Sequence, residues 1–460
     1  MFVPFLTFSV ATSLFVRSGA ALDIDVKDQK SIKEVAKTLA GGIVAQYNDG
    51  LKENLVPGLF PDPYYWWEAG AVFDSLIEYS ALTGDNQYDD LIGEAMFHQA
   101  GERFDYMPAN QSVSIGNDDQ STWALAAMSA AEHGFSTSKI GNLTWINLAK
   151  TVWESQAARW DNETCDGGFR WQIFPFNRGF DYKNSISQGQ FILLSTRLAK
   201  FTGNSTYSDW AAKVFKWTQD IGLVDDTFHI YDGASAQTDC SKIERIQWSH
   251  NNGILAESAA LMYNLTKGSE EWKDVVSSIV EKTSEVFKPK KDGVLYEVAC
   301  ELNGKCNADQ RAFKGLAVRS LARAAVSAPF VSDTITSTLE TSAEAATKRC
   351  SGKGDDLKCN FHWDPSRDAD EQDGALGENL GALAVVQALL VKDAKAPATE
   401  STSGNGTATG NPTGSAPETS GSAPETSGSA NLAEHDGAAG ALAVSRGLVL
   451  AGVMMAAQLL

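Results

Sequence analysis

Phe201–Thr202–Gly203–Asn204–Ser205–Thr206–Tyr207 closes one helix and opens the next. The residues before it are apolar on most faces, with Phe191, Ile192, Leu193, Leu194 and Leu198 in one run. Glycine suits the left-handed position that ends a helix, and an aromatic four residues later starts a more polar helix. The same pattern occurs twice more. Leu82–Thr83–Gly84–Asp85 is followed by Tyr88, and Leu265–Thr266–Lys267–Gly268 by Trp272. A helix stop that recurs at a fixed distance from an aromatic start indicates a repeated helical hairpin.

Outward from these junctions, apolar periodicity predicts twelve helices: 31–48, 64–82, 86–104, 117–132, 142–160, 184–201, 205–220, 249–265, 269–287, 308–325, 331–348 and 372–393. The first places Ile32, Val35, Ala36, Leu39 and Ile43 on one face, and Pro57, Pro61 and Pro63 then mark a loop. The even-numbered helices are rich in Ala, Leu, Phe and Gly. Most odd-numbered ones carry a polar face, and 331–348 is largely Ser, Thr, Glu and Ala. Strand signals are scarce, Gly293–Val298 being the best short candidate. Six apolar helices inside six amphipathic ones make an all-α (α/α)6 toroid, with a helical solenoid as the alternative. In a toroid alternate helices run the same way, so the starts of the even helices collect at one rim. Those starts carry Tyr64, Trp67 and Glu68; Asn117–Gln120; Tyr182–Asn184; Ser249–Asn252; Asp309 and Gln310; and Glu371–Asp373. The rim is therefore the expected cleft, although each cluster taken singly reads equally as helix capping.

One of these starts holds two adjacent carboxylates. Ile115–Gly116–Asn117–Asp118–Asp119–Gln120–Ser121–Thr122–Trp123 leads into a run that is apolar nearly all round, as in a helix buried on most faces. First-turn acids often do no more than complement the helix dipole. A pair of carboxylates is also what cleaves a glycosidic bond. Adjacent helical residues point about 100° apart, so both can face one cleft. Burial beside a like charge raises a carboxylate pKa, and the helix N-terminus lowers it. The sequence sets no winner between them.

Composition narrows the class. The chain has 460 residues and a formal net charge of −20, which opposes phosphate-backbone binding and excludes nucleic acid as an expected partner. Twelve Trp and eleven Tyr supply flat faces for sugar rings. Phe2 to Val16 is a short apolar run followed by Ser18–Gly19–Ala20–Ala21, so residues 1–21 read as a secretory signal, atypical in lacking an early Lys or Arg. All six cysteines lie beyond it, an even number that in a secreted chain implies disulfides. Fifteen pairings exist for six cysteines. Short loops favour Cys300–Cys306 and Cys350–Cys359, leaving Cys165–Cys240. No Cys-x-x-Cys or His pairing supports a zinc site instead. Sequons begin at Asn110, Asn142, Asn162, Asn204, Asn264 and Asn405.

After Lys395 the composition changes. Residues 396–436 are Ser, Thr, Gly, Ala and Pro, with Gly-Ser-Ala-Pro-Glu-Thr-Ser in tandem, and read as a disordered, O-glycosylated stalk. Residues 437–460 end in an apolar tail from Gly447 to Leu460, the pattern of a GPI-attachment signal, with Gly437 the preferred site and Asn431 the alternative. The folded domain is expected over 22–395.

Together these residues resemble glycoside hydrolase family 76, the α-1,6-mannanases, and in particular its fungal GPI-anchored members. The resemblance rests on Tyr65–Trp66–Trp67–Glu68–Ala69–Gly70, Gly116–Asn117–Asp118–Asp119–Gln120, Gly167–Gly168–Phe169–Arg170–Trp171 and Tyr182–Lys183–Asn184–Ser185–Ile186–Ser187. It continues through Asn251–Asn252–Gly253, Asp309–Gln310 with Phe313–Lys314–Gly315, and Glu378–Asn379–Leu380–Gly381–Ala382. It implies an (α/α)6 toroid and retaining hydrolysis of α-mannosides, with Asp118 as nucleophile and Asp119 as general acid/base. Trp66, Trp67, Asn117, Gln120, Trp171, Tyr182, Asn184, Asn251, Asn252, Asp309 and Gln310 are the candidate substrate-binding residues. Expected partners are mannan or the mannose of GPI glycans, with wall glucan as a further acceptor if the enzyme transfers rather than hydrolyses. No cofactor or metal is called for, and a monomer is expected. A catalytically dead carbohydrate-binding wall protein would not need Asp118 and Asp119 together. A prenyl-chain cyclase would want a third Asp after Asp119 and no signal peptide.

Overall fold

The computed structural model describes residues 21–52, 56–136, 143–288, 292–364, 366 and 374–402. The expected signal peptide before residue 21, the sequons at Asn142 and Asn405, the Glu371–Asp373 cluster and the GPI site Gly437 lie outside them.

The twelve expected helices are present. They are α1 (Gln29–Lys52), α2 (Trp66–Thr83), α3 (Asp89–Gln99), α4 (Asn117–His133), α5 (Trp145–Ala157), α6 (Ser185–Thr202), α7 (Ser205–Asp220), α8 (Ser249–Leu265), α9 (Glu270–Phe287), α10 (Ala308–Ser327), α11 (Ser332–Thr347) and α12 (Leu376–Ala388). The even helices pack side by side as α2–α4–α6–α8–α10–α12, and α12 returns against α2, so the ring closes and the solenoid is excluded. The odd helices lie against this ring, each sending one apolar stripe inward; α9 buries Trp272, Val275, Val276, Ile279, Val280 and Phe287. The inner helices are buried all round, which explains their lack of a polar face.

Two of the three junctions end as expected, with Gly84 (φ 78°) and Gly203 (φ 72°) left-handed at the caps of α2 and α6. The third runs later. α8 is capped at Thr266, and Lys267 and Gly268 both take positive φ. Glycines elsewhere set helix spacing: a Cβ on Gly315 of α10 would lie 2.4 Å from the Cα of Gly381 on α12.

Gly293–Val298 is not a strand. Its backbone is used in single bonds, Tyr296 N–H to Phe287 O and Glu297 N–H to Glu301 Oε2. The strands are instead β1 (Tyr182–Asn184), β2 (Gly233–Ser235) and β3 (Ile243–Glu244) in one antiparallel sheet, and β4 (Cys350–Ser351) with β5 (Lys358–Cys359) in another. The three disulfides are Cys165–Cys240, Cys300–Cys306 and Cys350–Cys359, the pairing that loop length favours.

The fold also continues past Lys395, where the stalk was expected to begin. Ala398 N–H donates to Glu132 O at 2.7 Å and Glu400 N–H to Phe201 O at 2.9 Å. These carbonyls belong to the last turns of α4 and α6, where helix geometry leaves acceptors unfilled. The tail supplies the donors. Among the described residues no helix is long and apolar enough to cross a membrane.

Candidate active site

A cleft of about 510 Å³ opens at the rim formed by the inner-helix starts. Five of those starts line it: Tyr65, Trp66 and Trp67 before and in α2, Asp118 and Asp119 of α4, Asn184 and Ile186 at α6, Trp248, His250 and Asn251 at α8, and Asp309, Gln310 and Phe313 of α10. The described start of α12 serves the scaffold: Leu376 N–H donates to Tyr64 Oη at 3.1 Å, and Glu378 pairs with Arg311.

Asp118 and Asp119 occupy the second and third positions of α4. Asp118 Oδ1 accepts the Asp119 N–H at 3.0 Å, and Oδ2 accepts Asn184 Nδ2 at 3.2 Å. Asp119 Oδ2 reaches back to the N–H of Gly116, the residue preceding the helix, at 2.6 Å. Glu68 makes the same third-position contact to Tyr65 N–H at the start of α2, and Gln310 to Asn307 N–H at α10. The capping reading and the site reading are thus both true of Asp119: one oxygen caps, and the residue still lines the cleft. Gly116 is needed here, since a Cβ would sit 2.3 Å from Asp118 Oδ1.

Burial outweighs the helix dipole at both acids. Desolvation raises the Asp118 pKa, opposed by the donors from Asn184 and the backbone. Asp119 is raised well above the usual carboxylate range by burial and then by the charge of Asp118, with Asp309 adding to both. Asp118 has two donors holding its anion and Asp119 has one, so a single proton shared by the pair belongs on Asp119.

The other expected residues divide. Trp67 lines the cleft and donates from Nε1 to Asp309 Oδ1 at 2.8 Å. Trp171, Asn184, Asn251, Asp309 and Gln310 also line it. Trp66 borders it, but its ring stacks on Trp123 in the core and its Nε1 bonds Gln99. Four are placed elsewhere. Asn117 bonds Arg170 O and Arg159 Nε, and Gln120 bonds Asp105 O and Arg159, both tying α4 to its outer neighbours. Asn252 is fully buried against Thr283 of α9. Tyr182 stands behind the cleft, donating from Oη to Asp232 Oδ2 at 2.6 Å. These four side chains are not among those lining the cleft and make their hydrogen bonds to the surrounding scaffold. For the three helical ones, a polar residue one or two positions from a cleft residue on a helix packed on every side faces a neighbouring element.

Also lining the cleft, though not named as substrate-binding candidates, are Trp248, His250, Gln190, Phe313 and Asp232. Asp232 lies in a connection with no motif, and only the fold brings it to the cleft, where Trp248 Nε1 donates to Oδ1 at 2.8 Å. Two of these carried a sequence signal: His250 lies inside the Ser249–Asn252 start, and Phe313 opens the Phe313–Lys314–Gly315 motif.

The motif lysines are scaffold. Lys183 is fully buried, donating to Thr164 O at 2.7 Å and pairing with Asp161 at 3.0 Å. Lys314 pairs with Glu301 at 2.9 Å and donates to Phe361 O at 2.6 Å. Four sequon residues, Asn110, Asn162, Asn204 and Asn264, are exposed, as an acceptor for a glycan has to be.

The sequence profile of Glycosyl hydrolase family 76 matches residues 31–401, a span holding every cleft residue named above. The chain belongs to glycosyl hydrolase family 76. It is similar to mannan endo-1,6-α-mannosidase DFG5 of Saccharomyces cerevisiae, 38% identical over 85% of this chain and 84% of that one. It is 39% identical to DCW1 of Candida albicans, with 87% and 88% covered. Among solved structures, Dfg5 from Chaetomium thermophilum in complex with glucosamine aligns at TM-score 0.77 and 39% identity, covering 82% of this chain and 94% of that one. An inactive variant of the α-1,6-mannanase of Salegentibacter, in complex with α-1,6-mannotriose, shares the fold at TM-score 0.61 and 19% identity, covering 78% and 99%. Family membership makes this chain a glycoside hydrolase, and its toroid is that of the family 76 structures.

Proposed function

We propose that this family 76 enzyme is a retaining endo-α-1,6-mannosidase of the cell surface. The observation that carries the reading is the pair of consecutive carboxylates opening on one cleft in two different hydrogen-bonding environments. Asp119, kept protonated by burial and by the charge of Asp118, donates its proton to the glycosidic oxygen as the bond to C1 breaks. Asp118, held as the anion by Asn184 and a backbone N–H, attacks C1 and forms a glycosyl-enzyme. Asp119, now the base, takes a proton from the incoming hydroxyl, whose oxygen bonds to C1 and displaces Asp118. Two displacements return the anomeric configuration of the donor. The substrate is mannan or the mannose of a GPI glycan, in keeping with the names of the fungal relatives. The catalytic domain begins near Leu22 after the signal peptide and is followed by a stalk and a GPI anchor at Gly437, so the enzyme works tethered to the membrane as a monomer.

Transfer to a wall-glucan hydroxyl in place of water is the second reading. The glucosamine bound to the Chaetomium relative is in keeping with a GPI glycan as donor under either reading. Asp118→Asn and Asp119→Asn test the chemistry with an activated α-mannosyl donor. The first should form no covalent intermediate. The second should form it and turn over slowly, with azide giving a mannosyl azide of the donor configuration. Near wild-type cleavage by both variants would reduce the pair to capping acids. Including an oligosaccharide acceptor separates transfer from hydrolysis by product mass.

A further inference from the structure

At the axis of the toroid the cleft floor is made of three rings from three inner helices. Trp67 of α2 lies nearly parallel to His250 of α8 (centroids 6.5 Å apart, planes at 21°), and Phe313 of α10 packs against both. Beneath them is a second cavity of about 30 Å³, walled by Asp74, Arg197, Glu257, Arg319 and Arg323. His250 lines both spaces.

His250 is 6% exposed, its ring nitrogens make no hydrogen bond among the described residues, and they are not among the fully desolvated unpartnered atoms, so they still reach solvent. Asn251, the next residue, is 4% exposed and its side-chain amide is likewise without one. Phenylalanine would fill the same space between Trp67 and Phe313, so what histidine adds is two polar atoms without a protein partner at the cleft. Burial and then the nearby charge of Arg319 push the His250 pKa down to about 3, which favours the neutral ring. A neutral imidazole offers one N–H donor and one acceptor, which matches a sugar hydroxyl in either role and gives no preference to an anion.

We propose that His250 and Asn251 form the uncharged floor of a sugar subsite, hydrogen-bonding hydroxyls of a neutral hexopyranose whose apolar face lies near Trp67. This rests on the α-mannoside reading above and deepens it by naming a recognition residue on the side of the cleft away from the acids of α4.

The test is calorimetric binding of α-1,6-mannotriose to full-length Asp118→Asn, which binds without turnover, with and without a change at His250. His250→Phe keeps the ring packing and removes both nitrogens. It should weaken binding about tenfold or more, the loss of one or two hydrogen bonds, with little change in Tm. His250→Gln keeps a donor and an acceptor and should recover most of that loss. If His250→Phe binds as tightly as its parent, His250 is core packing and the inference fails. If His250→Gln binds as weakly as His250→Phe, hydrogen bonding is not what the residue supplies, and it fails again. If the Asp118→Asn parent itself does not bind mannotriose, the mannosidase reading falls and takes the subsite with it.

Discussion

Asn184 Nδ2 donates to Asp118 Oδ2 at 3.2 Å, and the orientation of that amide is fixed by the helix it caps. Asn184 precedes α6, and its Oδ1 accepts the Ser187 N–H at 3.3 Å, so the nitrogen end has to point away from the helix, toward α4. A capping interaction on one inner helix thereby sets the electrostatics of a carboxylate on the next.

Removing that donor should move the pH profile. In the proposed mechanism Asp118 acts as the anion, and the Asn184 bond lowers its pKa. Asn184→Ala should therefore shift the acidic limb of kcat/KM to higher pH. A hydrogen bond to a charged group is worth about 1.5–3 kcal/mol, so activity on the acidic side should fall by about tenfold or more and recover partly as pH rises. An unshifted limb would mean that Asn184 serves α6 alone.

The catalytic pair should destabilise the fold at neutral pH. Both acids have folded-state pKa values above the value of about 3.9 expected when unfolded. The folded state then binds more protons, so stability falls as pH rises from about 4 through the raised values. Asp119→Asn, which cannot ionise, should melt higher than wild type near pH 7–8, and the difference should close toward pH 4. Equal Tm values at both pH values would place the acids in a more solvated setting than the structure has.

The C-terminal boundary can be checked by truncation. A chain ending at Thr402 keeps the donors from Ala398 and Glu400 to the last turns of α4 and α6, and one ending at Lys395 loses them. At about 1 kcal/mol per net hydrogen bond, the shorter chain should fold and be active but melt several degrees lower. Identical melting would show that residues 396–402 contribute nothing to stability.

The disulfide Cys165–Cys240 spans 75 residues and ties the Gly167–Trp171 segment to the end of β2. Closing a loop of that length is worth about 4 kcal/mol in chain-entropy terms. Trp171 O accepts the Asn117 N–H at 2.8 Å, so this segment also steadies the start of α4. Replacing both cysteines with serine should lower Tm and reduce kcat. Alkylation of the denatured, unreduced wild type should label no cysteine.

Helix count, the inner and outer roles and the carboxylate pair were legible in the amino-acid order, while some helix ends were not, the expected 86–104 being a helix only over Asp89–Gln99. Each depends on interactions within a few residues: the Gly84 and Gly203 stops, the amphipathic stripe of α9, the all-apolar run after Asp119. Disulfide pairing was favoured by loop length for the same local reason. Tertiary structure alone decided which way polar residues on the buried inner helices face. Asn251 turns to the cleft and Asn252 to α9; Asp119 lines the cleft while Gln120 bonds Arg159. Neighbouring residues on such a helix meet different partner helices, and periodicity is silent when every face is buried. Only tertiary contacts brought Asp232 from an unmarked loop, through Ser185 and Tyr182, and His250, two inner helices on from α4, to the same cleft as Asp118. The field that raises the two acids likewise comes from burial and from Asp309, 190 residues away in sequence.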